Sequence, residues 1–319
     1  MIRRFSYQCF FSRLRFSFLL ASTAFTTPAH AQSELWKINA DGTGLAKFAD
    51  TPGYTCGSPE WSHDGKFVAY DTWKLGQKLE DSQIVVIRAD GTDPRNIGIG
   101  AMPSWSPDGK QIVVHTYGVG SDGQRTSDDC IVVMNADGSG RETILKHWGS
   151  PRWLRHGNRI ATILNSNLAL YDLATGIERV ILPRPYPVYW GYCVSPDCKR
   201  FAFCGSDSGL YLATLDEQTM KAPVRTLMAK GSGQYSSFAP DNKRIVFSWL
   251  PDGSPKGTTN QLYTMDVDAD AAPQLLPGQD ASRSSWGPNW SPDGKTIVFC
   301  SRIPKSPAKP LPENPESTP

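Results

Sequence analysis

Apolar and polar positions alternate along this chain in short runs cut by turn residues, and the runs recur on a fixed period. The segment Trp61–Tyr70 reads WSHDGKFVAY; it returns as WSPDGKQIVV at Trp105–Val114 and as WSPDGKTIVF at Trp290–Phe299. Three degenerate copies begin at Trp153, Val194 and Phe238, so that successive starts lie 44, 48, 41, 44 and 52 residues apart. A self-similar period of this size marks a repeat architecture. Each copy reads as a β-hairpin. A strand ends on the large apolar residue, Pro-Asp-Gly makes the turn, and a β-branched run returns. Cys198 and Asn242 replace the turn Gly in two copies. Asn tolerates the left-handed backbone and Cys does so less well, so the Cys198 turn is expected to differ.

A second series interleaves with the first. Leu35–Gly42, Ile84–Gly91 and Ile131–Gly138 each run from apolar alternation into Ala-Asp-Gly, and weaker copies start at Leu168, Leu210 and Leu262. Two hairpins per period make four antiparallel strands, which is one blade of a β-propeller. The mature chain starts with a second-half unit and ends with a first-half unit at Trp290–Cys300. Neither makes a blade alone. The pattern therefore predicts an all-β, six-bladed propeller of four-stranded antiparallel blades, its last blade closed by the N-terminal strands. Closure of this kind removes two exposed sheet edges. The repeat residues Trp61, Trp105, Trp153, Val194, Phe238 and Trp290 are expected to pack between adjacent sheets.

The first residues follow a different pattern. Arg3, Arg4, Arg13 and Arg15 form a basic region, Phe16–Phe25 an apolar one, and Ala29-His30-Ala31 a small-residue cleavage site. This is the layout of a cleaved secretory signal over residues 1–31, with a periplasmic or secreted destination. The apolar run is too short to span a bilayer. Without those four arginines the 33 basic residues fall to 29 against 31 acidic ones, so the mature chain is slightly acidic. That balance argues against a nucleic-acid partner. The propeller is expected over residues 32–303. Residues 304–319, with six Pro, read as a disordered tail.

The alternating Trp-Ser-Pro-Asp-Gly-Lys and Asn-Ala-Asp-Gly units resemble the propeller repeats of the TolB family, over essentially all of residues 34–303. The resemblance implies a propeller and leaves function open, because similar repeats build prolyl-oligopeptidase-type propellers and oligogalacturonate lyases. TolB carries an α/β domain before its propeller, whereas here blade strands follow the cleavage site directly. The expectation is a TolB-like propeller rather than TolB.

Candidate chemistry gathers where loops are long. Asp71–Gln83, Thr116–Asp129 and Ser248–Asn260 exceed what a hairpin needs, and such loops are more often functional. Glu60, Ser104, Arg152, Cys193, Ser237 and Asn289 precede the six repeat positions and suit a wet channel, most of them simply solvated. Trp148, Tyr189, Trp190, Tyr235 and Trp286 lie just upstream, where aromatic faces could stack on sugar rings or clamp a peptide, or else close gaps between blades. His115 and Asp71 occupy equivalent positions one residue past their strands and could converge on the channel. The candidate ligand-binding set is thus Glu60, Arg152, His115, Asp71, Trp190, Tyr235 and Trp286.

No Gly-x-Ser-x-Gly elbow, Walker loop or CxxC pair occurs, so no catalytic residue, metal site or cofactor is expected. Six cysteines remain after cleavage, with open connectivity; Cys193 should face Ala202. The leading expectation is a monomeric, non-enzymatic binding protein for an envelope protein, peptide or glycan. The alternative is a carbohydrate-active lyase or hydrolase with its site at the channel mouth.

Overall fold

The computed structural model describes residues 32–49, 51–119, 128–182, 188–228 and 234–304. The expected signal segment, and residues 305–319 of the expected tail, lie outside the described residues. The side chains of Tyr189, Trp190 and Gln234 do so as well.

The chain opens with β1 (Glu34–Asn39) and β2 (Ala46–Ala49). Blade 1 follows as β3 (Tyr54–Trp61), β4 (Phe67–Lys74), β5 (Gln83–Arg88) and β6 (Arg95–Ile99). Blade 2 is β7 (Ala101–Trp105), β8 (Gln111–Thr116), β9 (Cys130–Asn135) and β10 (Glu142–Leu145). Blade 3 is β11 (Arg152–Trp153), β12 (Arg159–Leu164), β13 (Asn167–Asp172) and β14 (Ile177–Val180). Blade 4 is β15 (Val188–Val194), β16 (Arg200–Gly205), β17 (Leu210–Thr214) and β18 (Val224–Met228). Blade 5 is β19 (Gln234–Phe238), β20 (Arg244–Trp249), β21 (Gln261–Asp266) and β22 (Gln274–Leu275). β23 (Ser284–Trp290) and β24 (Thr296–Arg302) are the last two strands. Among the described residues the helical content is one 3-10 turn, Leu79–Asp81.

Blade 6 has the order β2-β1-β24-β23. Here β1 pairs antiparallel with β24 from Glu34↔Ser301 to Asn39↔Thr296, so the two ends of the chain complete one sheet. The N-terminal segment also reaches across the next seam, where Ser33 Oγ donates to the Cys56 carbonyl of β3 at 2.8 Å. Within blade 6, Arg283 Nη2 donates to Glu34 Oε2 at 2.5 Å.

The Ser-Pro-Asp-Gly-Lys turn is held by its own side chains. Ser106 Oγ donates to Asp108 Oδ1 at 2.7 Å and accepts the Gln111 N–H at 2.9 Å, while Lys110 N–H donates to the same Asp oxygen at 3.1 Å. The set recurs at Ser62/Asp64, Ser195/Asp197 and Ser291/Asp293. Contrary to expectation, the Cys198 turn matches the others. Cys198 takes φ +62°, close to Gly109 at +69°, and its N–H donates to Ser195 O at 2.8 Å as Gly109 does to Ser106 O at 3.0 Å. The bonds around the turn outweigh the small cost of a Cβ in the left-handed region. Gly91, in the second turn series, also makes a contact between blades. A Cβ there would lie 2.4 Å from the Phe48 carbonyl of blade 6, so the turn Gly lets neighbouring backbones approach.

Six apolar clusters fill the six seams, and each holds one repeat residue facing the preceding blade. Trp61 packs edge-on against Phe48 of blade 6, with ring centroids 6.1 Å apart, and Trp105 stacks on Phe67 of blade 1 at 6.3 Å. Trp153, Val194, Phe238 and Trp290 fill the remaining four seams. Cys193 pairs with Ala202, as the register predicts, and the six cysteines among the described residues are all unbridged.

If β1 is an integral strand, Ile38→Ala should cost about 2–5 kcal/mol, as Ile112→Ala should in blade 2. Both residues are fully buried. Urea unfolding of the two variants checks this; an unchanged midpoint for Ile38→Ala alone would mean that β1 is a detachable strand.

Candidate binding site at the loop-rich mouth of the channel

The first strand of each blade lines the channel, and the residues before the repeat positions form a ring. Glu60 Oε1 accepts the Trp105 N–H at 3.0 Å, and Ser104 Oγ accepts the Trp153 N–H at 2.9 Å. Ser237 Oγ accepts the Trp290 N–H at 3.0 Å, and Asn289 Oδ1 closes the circle on the Trp61 N–H at 2.9 Å. These four oxygens each belong to one blade and satisfy the backbone of the next. Cys193 meets the next blade through a side chain instead, its sulfur 3.0 Å from Ser236 Oγ. Arg152 cannot join the series, because a guanidinium has no acceptor. Its Nε instead lies 3.7 Å from Glu60 Oε2 across the channel. Glu60 is buried, and desolvation raises its pKa although Arg152, the Ser104 hydroxyl and the Trp105 N–H all favour the ionised form. These polar positions thus have partners, where the sequence suggested mainly solvated side chains.

Three residues upstream of the repeat position, four first strands carry a residue at positive φ: Ser58 (+45°), Met102 (+54°), Tyr235 (+62°) and Gly287 (+61°). The strand registers shift at these points, so each is a bulge. Only Gly287 adopts this conformation without strain; a Met or a Tyr there costs on the order of 1–3 kcal/mol. Bulges re-aim side chains. Here they form a waist, since Ser58, Tyr235 and Gly287 line cavities on both sides of it. One is narrow, about 100 Å³, and contains Glu60 and Arg152. The other, about 370 Å³, opens between the long loops and is lined by Asp71, Trp73, Leu79, Tyr117, Asn260, Trp286 and Arg302 among others.

Nearer this mouth, equivalent positions in three blades again reach the next blade. Asp71 Oδ2 accepts the Met102 N–H at 2.8 Å, His115 Nδ1 faces the Gly149 N–H at 3.5 Å, and Ser248 Oγ donates to Ser285 O at 2.7 Å. Asp71 is 3% exposed, and its Oδ1 has no hydrogen-bond partner. Burial raises its pKa, opposed by the Met102 N–H, the Ser58 hydroxyl and Arg152. Tyr117, in the same cavity, has a buried hydroxyl without a partner. At the lip the Arg302 guanidinium lies 5.2 Å from the centroid of the Trp286 ring.

His115 does not converge on the channel. It lies in the seam between blades 2 and 3, fully buried against Tyr117 at 4.4 Å and Trp148 at 5.9 Å. The nearest carboxylate oxygen, on Asp129, is 4.0 Å away, beyond hydrogen-bond reach. Desolvation lowers its pKa to about 3, so the ring is neutral at ordinary pH. The structure thus brings together Asp71, Tyr235 and Trp286 at the mouth and Glu60 with Arg152 below the waist. The Trp190 side chain lies outside the described residues. Sequence reasoning missed Trp73, Tyr117 and Arg302; the long loop after Thr116 was the available signal for Tyr117.

No family model matches the chain. A candidate TolB of Agrobacterium tumefaciens superposes with a TM-score of 0.67 at 17% identity, covering 86% of this chain and 99% of that one. Together with the six-bladed architecture and the closure of blade 6, this settles the fold. The chain has the fold of a TolB-like β-propeller. TolB from Acinetobacter baumannii matches this TolB-like propeller with a TM-score of 0.57 at 16% identity, over 86% of this chain and 65% of its own. In sequence, an uncharacterised protein of Agrobacterium fabrum is 26% identical over 211 residues, 62% of this chain and 64% of the relative. The chain therefore spans less than two thirds of that relative's length. An oligogalacturonate lyase from Vibrio parahaemolyticus also shares the TolB-like architecture, with a TM-score of 0.52 at 11% identity, over 85% of this chain and 84% of its own. The fold alone does not choose a function.

The neutral His115 gives a pH signature. Below pH 6.5 the unfolded chain takes a proton that the folded chain refuses until about pH 3, so stability falls as pH drops from 6.5. His63, lowered to about 4 by burial, acts in the same direction. His115→Phe should remove up to about 1.4 kcal/mol per pH unit from that fall between pH 6 and 5. Urea midpoints across this range check it; an unchanged slope would show that the ring is protonated inside the fold.

Proposed function

We propose that this chain is an exported, non-enzymatic binding protein that presents its loop-rich rim to a protein, peptide or glycan. The observation that carries the reading is the mouth cavity, bounded by residues of all three long loops (Leu79, Tyr117 and Asn260) and holding Asp71, Tyr235 and Trp286. A concave site with aromatic walls and a few polar groups suits ligand capture. The larger cleft of about 820 Å³ over β5 and β6 supports the reading less, because its acidic residues Glu80 and Asp81 are not buried. Among the described residues no helix is long and apolar enough to cross a membrane. The N-terminal basic, apolar and small-residue pattern supports export.

Catalysis at the mouth finds little support in the geometry. His115, which could have converged on the channel, is sealed in a seam, and general acid–base work needs a group within reach of the proton it moves. The channel carboxylate and guanidinium, Glu60 and Arg152, engage each other and the blade backbones.

Trp286→Ala should weaken capture of a partner at least tenfold. The checks are pull-down from envelope extracts and a glycan array, with Lys110→Ala on the opposite rim as a control that binds as wild type. Equal capture by the two variants would place the binding surface elsewhere.

A further inference from the structure

Resting on the reading of the mouth cavity as a binding site, we propose that its deep end is a receptor for an organic cation. An ammonium or guanidinium group would be held by the Asp71 carboxylate, with the Tyr117 hydroxyl as a second acceptor.

Asp71 first serves the fold. Its one hydrogen bond to a neighbouring blade, from the Met102 N–H, uses a single oxygen. An Asn would supply that oxygen without burying a charge, and uncompensated buried charge is expensive. The carboxylate nonetheless lies 3% exposed with Oδ1 idle, on the wall of an open cavity. Among the described residues no Lys or Arg nitrogen lies within 4.0 Å of it. Arg152, which acts on it from below the waist, sits 3.7 Å from Glu60. Arg302 lies over Trp286 at the outer lip.

A second idle acceptor stands in the same cavity. The Tyr117 hydroxyl is buried with no partner, and it donates as readily as it accepts. A group offering several N–H donors would satisfy both oxygens at once. The walls suit a cation too. Trp73, Tyr235 and Trp286 present aromatic rings, whose faces attract positive charge, and the space of about 370 Å³ admits a long side chain.

The test is calorimetric titration of the purified full chain with Nα-acetyl-lysine methylamide and Nα-acetyl-arginine methylamide. Their neutral counterparts, the norleucine and citrulline derivatives, serve as controls, and the lysine and arginine arms separate ammonium from guanidinium. The expected result is at least tenfold tighter binding of one or both cations. Asp71→Asn, with an unchanged melting temperature, should abolish the preference, and Tyr117→Phe should reduce it severalfold. Should Asp71→Asn fail to fold, Tyr117→Phe alone decides. Cationic and neutral probes binding equally, no probe binding at millimolar concentration, or a preference that survives substitution would each overturn the proposal. Loss of partner capture in Trp286→Ala is read independently, so the rim reading can stand where the cation site falls.

Discussion

The backbone N–H of each repeat Trp points into the preceding blade, and the rest of the structure depends on what receives it. A first strand at the edge of its sheet carries unpaired donors, and an unpaired donor buried between blades is costly. Glu60, Ser104, Ser237 and Asn289 take up these four donors, and the repeat side chains fill the gap behind them. Four of the six seams are thus closed twice, by an aromatic plug and by a side-chain-to-backbone bond near the axis. The final bond, from Trp61 to Asn289, joins residues far apart in sequence and does for the channel what the β1–β24 ladder does for the sheet.

This ring decides which polar residues are free for function. The channel looks rich in chemistry by composition, yet most of its polar groups are occupied by neighbouring blades. Arg152 breaks the pattern and compensates Glu60 instead. Above the waist the constraint loosens. The bulges at Ser58, Met102, Tyr235 and Gly287 interrupt the regular pairing, Leu79, Tyr117 and Asn260 from the loops of blades 1, 2 and 5 border the opening, and Asp71 keeps an unused oxygen. Blades 3 and 4 have only short connections on that rim, residues 165–166 and 206–209, so the cavity sits to one side of the axis.

The architecture was legible because it is periodic. Turn residues at fixed offsets and a half-unit at each end of the chain dictate six blades and their closure. The ring was not legible, because a Ser or Asn before a Trp says nothing about a partner roughly one blade away. Nor does any local signal place Met102 and Tyr235 at positive φ; only Gly287 carries one. His115 and Asp71 share a position in the repeat, and counting residues placed both toward the channel. Their neighbours separate them. Tyr117 and Trp148 pack around His115 and seal it, while beside Asp71 the cavity stays open.

The most direct test of the ring is native-state hydrogen exchange at the amides of Trp61, Trp105, Trp153 and Trp290. Bonds that lock the seams should open only with the whole propeller, so the four amides should share the largest protection in the chain and report the global unfolding free energy. Exchange at Trp61 or Trp290 many-fold faster than in the central strands would contradict the account. It would show that the seams breathe and that the channel residues are available for other work.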